Sequence, residues 1–399
     1  MARVTRFRQR GLRVMHQHIP GPLTAIALTV SAGARFDGRR PGIAHMAEHM
    51  LFQGTASLDQ VALNRRAAEL GGEHNADTGY ENISLTFEVF NEDVADAIGL
   101  LAEQFYHSQV SEERFRKERR VVMDEIRGRI DDPAERLQSR AWAHFFRGPL
   151  AHPVWGSMQS LRQMRGRDVA AFIRRHFTHA RSVLAVVGGI SEGEARHAVR
   201  RHFSAPQSES ASTSAAALLG RAGVLHVRGG GGQAYVLKMI AVPPVPRTLI
   251  AVGLAIDLVG ADPDSRLFQE IRERLGLGYD VSAGLDWGAD WAIATISASA
   301  VRGAASRLER AVNETCERAA AEGFASDELL RARKKLRYRY ASLAESRFDR
   351  ALALAEGALS GFPLPEHAER IVSTMPQAEI EQAWRAALGG HTLTAVLSG

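Results

Sequence analysis

The order of apolar and polar positions predicts alternating strands and helices in the first half of the chain. Runs of about 4 to 8 apolar and β-branched residues are typical of strands, whereas apolar residues that recur every three to four positions are typical of amphipathic helices. Strands are expected at 23–32, 74–78, 83–89 and 183–187. Helices are expected at 42–52, 59–70, 91–107 and 111–130. We expect the two middle strands to pair around a turn near Gly79.

The second half repeats this alternation. Its apolar segments, which we expect to be buried, are 234–242 and 250–258. Strands are expected at 279–285 and 291–299, and helices at 264–275, 306–322 and 326–359. Because the strands form hairpins and the helices are grouped, the pattern favours the α+β class over a parallel doubly wound sheet. We therefore predict two similar domains with α/β layers, as in a duplicated fold.

A stretch of small polar residues separates the two halves. Residues 204–223 include Ser, Thr, Ala and Gln without any apolar periodicity, so they cannot bury a core and are predicted to form a flexible linker. The predicted domains are accordingly 1–203 and 224–399.

Several residues are expected to mark the ends of helices. Gly71 and Gly72 follow the helix predicted at 59–70, where a glycine most easily adopts the left-handed conformation. Asn91 and Ser111 precede two further helices, and their side chains can accept hydrogen bonds from free backbone amides.

Composition is that of an ordinary globular protein. Of 399 residues, 45% are hydrophobic and 24% charged, and no apolar run reaches the roughly 18 residues needed to cross a bilayer. The basic start at 1–10 leads into 11–14 rather than an apolar signal core, so we expect a cytoplasmic location, with a periplasmic one still open. Cys316 is the only cysteine, which excludes an internal disulfide and fits a reducing compartment.

Charge is unevenly distributed. The net charge of +5 could attract nucleic acid or membrane, but the arginines are scattered and no recognition motif accompanies them, so neither partner is expected. Residues 41–110 contain eleven Asp and Glu but only two basic residues, Arg65 and Arg66. These acidic residues either form solvated helix and strand faces or attract basic stretches of a substrate.

The strongest chemical signal is the sequence His-Met-Ala-Glu-His at 45–49. On a helix, His45, Glu48 and His49 share one face, because successive residues are about 100° apart. Two histidines so spaced can hold one metal ion, and zinc in a catalytic site needs a third protein ligand and an open position for water. The order His-x-x-Glu-His is the inverted zinc-peptidase motif.

A second helix offers the missing ligand. Glu118 and Glu125 are seven residues, or two helical turns, apart and therefore face the same way. An isolated helical glutamate is usually just solvated. Glu125, however, lies among Val121, Val122 and Ile126, which indicates a half-buried helix.

With these motifs the chain resembles the pitrilysin and mitochondrial-processing-peptidase family of inverted zinc peptidases. That family pairs His-x-x-Glu-His with a glutamate roughly 75 residues later, which corresponds to Glu125 here. The resemblance implies that His45, His49 and Glu125 bind one zinc ion per chain. It also implies that Glu118 supports the site from just outside the metal.

The resemblance extends almost from end to end. The segment 71–76 resembles the family's strand beside the active centre, which implies that Asn75 and Ala76 line the substrate. In the second half, Arg272 and Tyr279 match an Arg and Tyr pair, seven residues apart, with which the family reaches the substrate. The resemblance implies that Arg272 or Tyr279 helps to hold the substrate carbonyl or the oxyanion. The chain departs from the family where it has Leu85 and Thr86 instead of an aromatic pair. Its compact size is similar to that of the two-domain subunits that pair with another subunit.

These observations predict a zinc metallopeptidase that hydrolyses unfolded peptides. If the acidic residues of 41–110 attract the substrate, basic peptides are expected. Glu48 is expected to accept the proton of the attacking water and pass it to the leaving amine. The chain is expected to form a homodimer or to pair with a related subunit. The alternative is a non-catalytic subunit, or one active only as an obligate heterodimer, that serves in binding or assembly. His74 lies near the expected cleft. Histidines in such positions are more often hydrogen-bonded or exposed than metal-binding, so His74 is not expected to be a fourth ligand.

Overall fold

The computed structural model describes residues 3–204, 216–229, 232–278 and 280–398. The helices of this part of the chain are α1 (Ile43–Leu51), α2 (Gln60–Glu69), α3 (Val94–His107), α4 (Glu112–Asp131), α5 (Pro133–Phe145), α6 (Met158–Gln163), α7 (Gly166–His176), α8 (Glu192–His202), α9 (Pro246–Ile256), α10 (Arg266–Phe268), α11 (Ala305–Glu322), α12 (Ser326–Glu345), α13 (Arg347–Ser360), α14 (Pro365–Thr374) and α15 (Gln377–Leu388). The strands are β1 (Val4–Gln9), β2 (Leu12–His18), β3 (Leu23–Val30), β4 (Glu73–Thr78), β5 (Ile83–Phe90), β6 (Phe146–Arg147), β7 (Ser182–Gly188), β8 (Leu218–Leu219), β9 (Gly223–Arg228), β10 (Gln233–Ala241), β11 (Val281–Trp287), β12 (Ala292–Val301) and β13 (Thr392–Ser398).

The chain divides into two compact units, each built from more than one stretch of sequence. The first comprises Met1–Ile126, His152–Ala215 and Ser342–Leu364, and the second Arg127–Ala151, Ala216–Ala341 and Pro365–Gly399. The predicted domains are contiguous halves of the chain, but the compact units are not. The helix α5, from the first half of the sequence, belongs to the second unit, and α13, from the second half, belongs to the first.

The first unit contains a six-stranded sheet in the order β1-β2-β7-β3-β5-β4. Only β2 and β7 run parallel; the other neighbours are antiparallel. One face carries alternate residues such as Ile26, Leu28 and Val186, which pack with α1, α3 and α4 in the main core. The opposite face is covered by α13, against the small side chains of Ala25, Ala27 and Ala185 in β3 and β7. The sheet is therefore buried on both faces.

The second unit repeats this topology. Its five-stranded sheet has the order β9-β13-β10-β12-β11, with a parallel pair β9–β13 and antiparallel pairs elsewhere. This matches β2-β7-β3-β5-β4 strand for strand and direction for direction. The helices α5 and α11 both pack against β10 and β13. The duplicated α+β fold predicted from the sequence is confirmed.

Two sequence predictions were wrong in detail. The single helix expected at 326–359 is two helices, α12 and α13, because Ser346 ends the first and caps the second by accepting a hydrogen bond from the Asp349 amide at 3.1 Å. Asn91 begins a 3₁₀ turn rather than capping α3. Its side chain instead bonds the Thr24 hydroxyl and the Gly21 carbonyl. Ser111 does cap α4, since its hydroxyl accepts from the Arg114 amide.

The predicted linker lies mostly outside the described residues. Its central part, 205–215, is not among them, and the described remainder includes β8, which pairs with β6. No helix among the described residues combines the length and apolar character required to cross a bilayer.

Candidate metal centre

The helix that carries the histidine pair is anchored at its N-terminus by Asp37. Both carboxylate oxygens of Asp37 accept backbone hydrogen bonds, from Gly42 at 2.6 Å and from Ala44 at 3.0 Å. Burial raises the pKa of Asp37 to about 8, although the two N–H donors act in the opposite direction. A buried carboxyl thus satisfies amides that the first turn of a helix leaves without intrahelical partners.

Close packing of two glycines fixes the entry into α1. Gly42 has φ +89°, and a Cβ placed on it would come within 2.7 Å of the Trp155 carbonyl oxygen. A Cβ on Gly156 would come within 2.3 Å of the Pro41 carbonyl oxygen. No side chain fits at either position, so the loop before α6 holds the start of α1 in place.

The predicted face of α1 is confirmed. Met46, Ala47 and Met50 are fully buried in the core of the first unit. The other side of the helix presents His45, Glu48 and His49. Burial of the apolar stripe fixes the rotation of α1 about its own axis. The polar face with the two histidines and Glu48 must then point away from the core.

His45, His49 and Glu125 converge. Oε2 of Glu125 lies 3.8 Å from Nε2 of His45 and 3.7 Å from Nε2 of His49. The three ligand atoms lie within 4.8 Å of one another, and in the part of the chain that the structure describes they form the one such group of three or more metal-ligating side chains. Ligands about 2.1 Å from a tetrahedral zinc lie about 3.4 Å apart, so only small adjustments are needed to hold the ion. Two imidazoles and a carboxylate are also the donor set of a catalytic zinc site.

Glu118 orients His49. Its Oε1 accepts a hydrogen bond from Nδ1 of His49 at 2.8 Å, which leaves Nε2 of the ring facing Glu125. Burial lowers the pKa of His49, but the hydrogen bond to Glu118 and the charges of Glu48, Glu118 and Glu125 outweigh it, and the net pKa is raised. Such a carboxylate fixes the tautomer and the orientation of a metal-binding imidazole.

Glu48 is held by a strand residue. Its Oε2 accepts a hydrogen bond from the Thr78 hydroxyl at 2.5 Å, and among the described residues Oε1 remains available to a substrate or water. Burial raises the pKa of Glu48, while the bond from Thr78 is the largest opposing effect. A carboxylate with a raised pKa beside a metal site is suited to accept and return a proton.

The strand β4 forms the edge of the first sheet beside α1. Its residues alternate, so that Asn75 is exposed while Ala76 and Thr78 are half-buried on the side of the sheet that faces α1. The edge leaves one row of backbone donors and acceptors without a neighbouring strand among the described residues. The role of Asn75 and Ala76 in binding the substrate stays a prediction.

His74 belongs to the structure of the first unit. Its Nε2 bonds Oε1 of Gln104 at 3.1 Å, and its ring stacks on Phe87 with 4.1 Å between the ring centroids. Burial lowers the pKa of His74 to about 4, so the ring is neutral at ordinary pH. This is the structural histidine that the sequence favoured over a fourth ligand.

Arg272 lies in the second unit, in the π-helical turns Gln269–Arg274 that continue α10. Its guanidinium lies 5.3 Å from the centroid of the Phe268 ring, and Nε is 3.5 Å from Glu273. The side chain is about half exposed. Tyr279 lies outside the described residues, so the role of this pair stays a prediction.

Sequence reasoning assigned no role to three residues that shape the centre: Asp37, Thr78 and Gln53, whose Nε2 donates a hydrogen bond to Oε2 of Glu118 at 2.9 Å. Thr78 offered a signal, because it follows Ala76 by two positions on a strand and so faces the same side. Asp37 and Gln53 offered none that spacing could reveal, since their partners are set by tertiary packing.

Comparisons with known proteins find similarity along most of the chain. Residues 13–157 match the model of the insulinase family, peptidase family M16, and residues 165–336 match that of the peptidase M16 inactive domain. An uncharacterised zinc protease of Mycobacterium leprae is 30% identical over 82% of this chain and 76% of its own length. The probable β subunit of the mitochondrial-processing peptidase of Arabidopsis thaliana is 29% identical over 51% of this chain and 39% of its own length.

A solved protease from Helicobacter pylori has a similar fold. It superposes with a TM-score of 0.91 at 18% identity and covers 100% of both chains. At this identity the likeness concerns the fold alone.

Proposed function

Because the chain belongs to peptidase family M16, the insulinase family, we propose that it is an active zinc metalloendopeptidase that hydrolyses unfolded peptides. The observation that carries the proposal is the convergence of His45, His49 and Glu125 from two helices, with the ligand atoms within 4.8 Å of one another. The match to the inactive-domain model begins at residue 165, after all three ligands and Glu48. The segment that matches the inactive-domain model, 165–336, therefore contains none of the proposed metal ligands.

His45, His49 and Glu125 are proposed to hold the zinc ion, and Glu118 to keep His49 in the coordinating orientation. Bound zinc supplies Lewis acidity, which lowers the pKa of water toward about 7 and polarises a carbonyl. The remaining tasks belong to the side chains of this protein.

Glu48 is proposed to move the proton. Its Oε2 is engaged by Thr78, so Oε1 accepts the proton from the attacking water and delivers it to the leaving amine. Burial raises the pKa of Glu48, which makes its carboxylate a better proton acceptor than that of an exposed glutamate. Arg272 or Tyr279 is proposed to help hold the polarised carbonyl or the developing oxyanion, as the family resemblance implies.

The substrate is proposed to bind as an additional strand at the open edge of β4, past Asn75 and Ala76. Strand addition uses the backbone of the substrate, which requires an extended and unfolded segment. The acidic residues of 41–110 include exposed Glu73 and Asp77 on β4 itself. Charge complementarity at this edge would favour peptides with basic residues. We further propose that the chain acts as a dimer, with a second copy or a related subunit.

The test combines metal analysis with peptide cleavage on the purified full chain. The unmodified protein is expected to contain about one zinc per chain and to cleave a quenched fluorescent peptide. Glu48→Gln should keep its zinc and lose at least about a hundredfold in kcat, in the range that general-base catalysis contributes. Glu92→Gln is a matched control, because Glu92 is an exposed glutamate of the same unit.

Two results would contradict the proposal: a chain that binds no zinc when zinc is supplied, or a Glu48→Gln protein that cleaves at the unmodified rate. A chain that binds zinc but cleaves only after a related subunit is added would instead identify an obligate heterodimer.

A further inference from the structure

Gln53 connects the end of α1 to the carboxylate that orients His49. It lies two residues after the last residue of α1, and its Nε2 donates a hydrogen bond to Oε2 of Glu118 at 2.9 Å. The other carboxylate oxygen, Oε1, bonds Nδ1 of His49 at 2.8 Å. Glu118 is therefore held on both oxygens by residues of one short segment of chain.

The backbone of Gln53 is fixed as firmly as its side chain. Its amide donates to the Met50 carbonyl at 3.2 Å, and its own carbonyl accepts from the Arg114 guanidinium. Arg114 and Glu118 are one turn apart on α4, so both lie on the same face of that helix. Gln53 thus forms hydrogen bonds with α4, the helix that also carries Glu125, at Arg114 and at Glu118.

The buried Oε1 of Gln53, unpartnered in the described part of the chain, indicates that the side-chain amide serves the hydrogen bond from Nε2 to Glu118. The side chain is 4% exposed, and Oε1 has no hydrogen-bond partner among the described residues. A buried acceptor without a partner is destabilising, and an apolar side chain of the same length would avoid that. Only the orientation with Nε2 toward Glu118 lets the amide donate to the carboxylate.

We propose that Gln53 is a positioning residue for the metal centre, which acts through Glu118 on His49. The inference rests on the proposed zinc function. If the Gln53 amide is removed, Glu118 keeps one of its two restraints, and the His49 ring is no longer fixed in the orientation that presents Nε2 to the cation. Zinc affinity then falls, although no ligand has changed.

The test measures zinc affinity directly, by competition with a chromophoric chelator on the full chain. Gln53→Met keeps the length of the side chain without its amide, and its zinc dissociation constant is expected to rise about tenfold, at the low end of effects for residues around metal ligands. Gln53→Lys restores a donor to Glu118 and is expected to recover most of the affinity. Circular dichroism verifies that each variant is folded.

A double-mutant cycle tests whether the effect passes through Glu118. In a Glu118→Ala background, Gln53→Met should cause no further loss of zinc affinity, because the shared partner is gone. Gln104→Met is the matched control: Gln104 is a fully buried glutamine that bonds His74 and the Leu51 carbonyl, but not Glu118. It is expected to lower stability and leave zinc affinity unchanged.

Unchanged zinc affinity in Gln53→Met, or an equal loss in Gln104→Met, would overturn the role of Gln53. Should Gln53→Met not fold, Gln53→Glu serves the same comparison, since it sets a second carboxylate against Glu118 and should weaken zinc binding further. The proposed function fails separately, if the unmodified chain binds no zinc. An unmodified chain that binds zinc and cleaves peptides, beside a Gln53→Met variant with the same zinc affinity, removes only the inference about Gln53.

Discussion

The hydroxyl of Thr78 donates a hydrogen bond to Oε2 of Glu48 and so ties the last residue of β4 to α1. The contact joins two parts of the proposed chemistry, because β4 is the edge at which we expect the substrate to pair and Glu48 is the expected proton acceptor. A shift of the strand would therefore move the carboxylate, and a peptide paired with the strand would lie in a fixed register with it.

Removal of this bond is expected to slow catalysis without releasing the metal. Thr78→Val keeps the shape of the side chain but leaves Oε2 of Glu48 without its donor, and kcat should fall about tenfold, a fraction of what the whole general base contributes. Thr78→Ser keeps the hydroxyl and should retain most of the activity. Steady-state kinetics and zinc content give the answer. A Thr78→Val enzyme with unmodified kcat would show that Glu48 needs no support from the strand.

Loss of the third ligand should abolish both tight zinc binding and the stability that zinc confers. A ligand bound at 100 times its dissociation constant stabilises a protein by about 2.7 kcal/mol. The unmodified chain should therefore unfold at a lower temperature in the presence of a chelator. Glu125→Gln should unfold at the same temperature with and without it. Glu113→Gln, an exposed glutamate of the same helix, is the control and should behave like the unmodified chain. A zinc-dependent shift that persists in Glu125→Gln would exclude Glu125 as a ligand.

The sequence predicted the parts of this centre that depend on helical geometry. A period of 3.6 residues places His45, Glu48 and His49 on one face, and Glu118 and Glu125 on another, whatever the rest of the fold does. The structure brings these faces together as the sequence and the family resemblance indicated.

Contacts that depend on tertiary packing could not be predicted in this way. Thr78 is 30 residues from Glu48, and Gln53 is 65 residues from Glu118. No periodicity relates such positions. The break at Ser346 was missed because serine is tolerated within a helical pattern, and only the hydrogen bond to the Asp349 amide identifies it as a cap. Likewise, nothing in the order of elements along the sequence shows that α5 belongs to the second compact unit and α13 to the first.

Strand addition at β4 predicts that the backbone of the substrate matters. A peptide N-methylated at alternate residues loses the donors on one of its edges, while shifting the methyl groups by one residue removes those on the other. One of the two peptides should therefore show a large increase in KM and the other a small one, since only one edge can face β4. Cleavage assays with the two isomers, which have the same composition, provide the comparison. Equal KM values would argue against strand pairing.

Acid should destabilise the chain partly through His176, a residue of α7 remote in sequence from the metal ligands. The ring contacts those of Phe36 and Phe172, with 5.4 and 4.4 Å between the centroids, and Nδ1 is buried without a hydrogen-bond partner among the described residues. Burial, with the nearby Arg181 and Arg175, lowers the pKa of His176 to about 3. The unfolded chain binds this proton near pH 6.5, whereas the folded chain does so only near pH 3.

The stability contributed by neutral His176 is thus present above about pH 6.5 and is lost as the pH falls toward 3, by up to about 1.4 kcal/mol per pH unit. His176→Phe cannot bind the proton, so the free energy of unfolding should fall less steeply between pH 6.5 and 4. Urea unfolding with a chelator present measures this slope without a contribution from zinc release. Phe36→Leu disturbs the same packing without an ionisable group and should lower stability by a similar amount at every pH. If His176→Phe keeps the unmodified slope, the acid sensitivity arises elsewhere, because a side chain that no longer titrates cannot contribute to it.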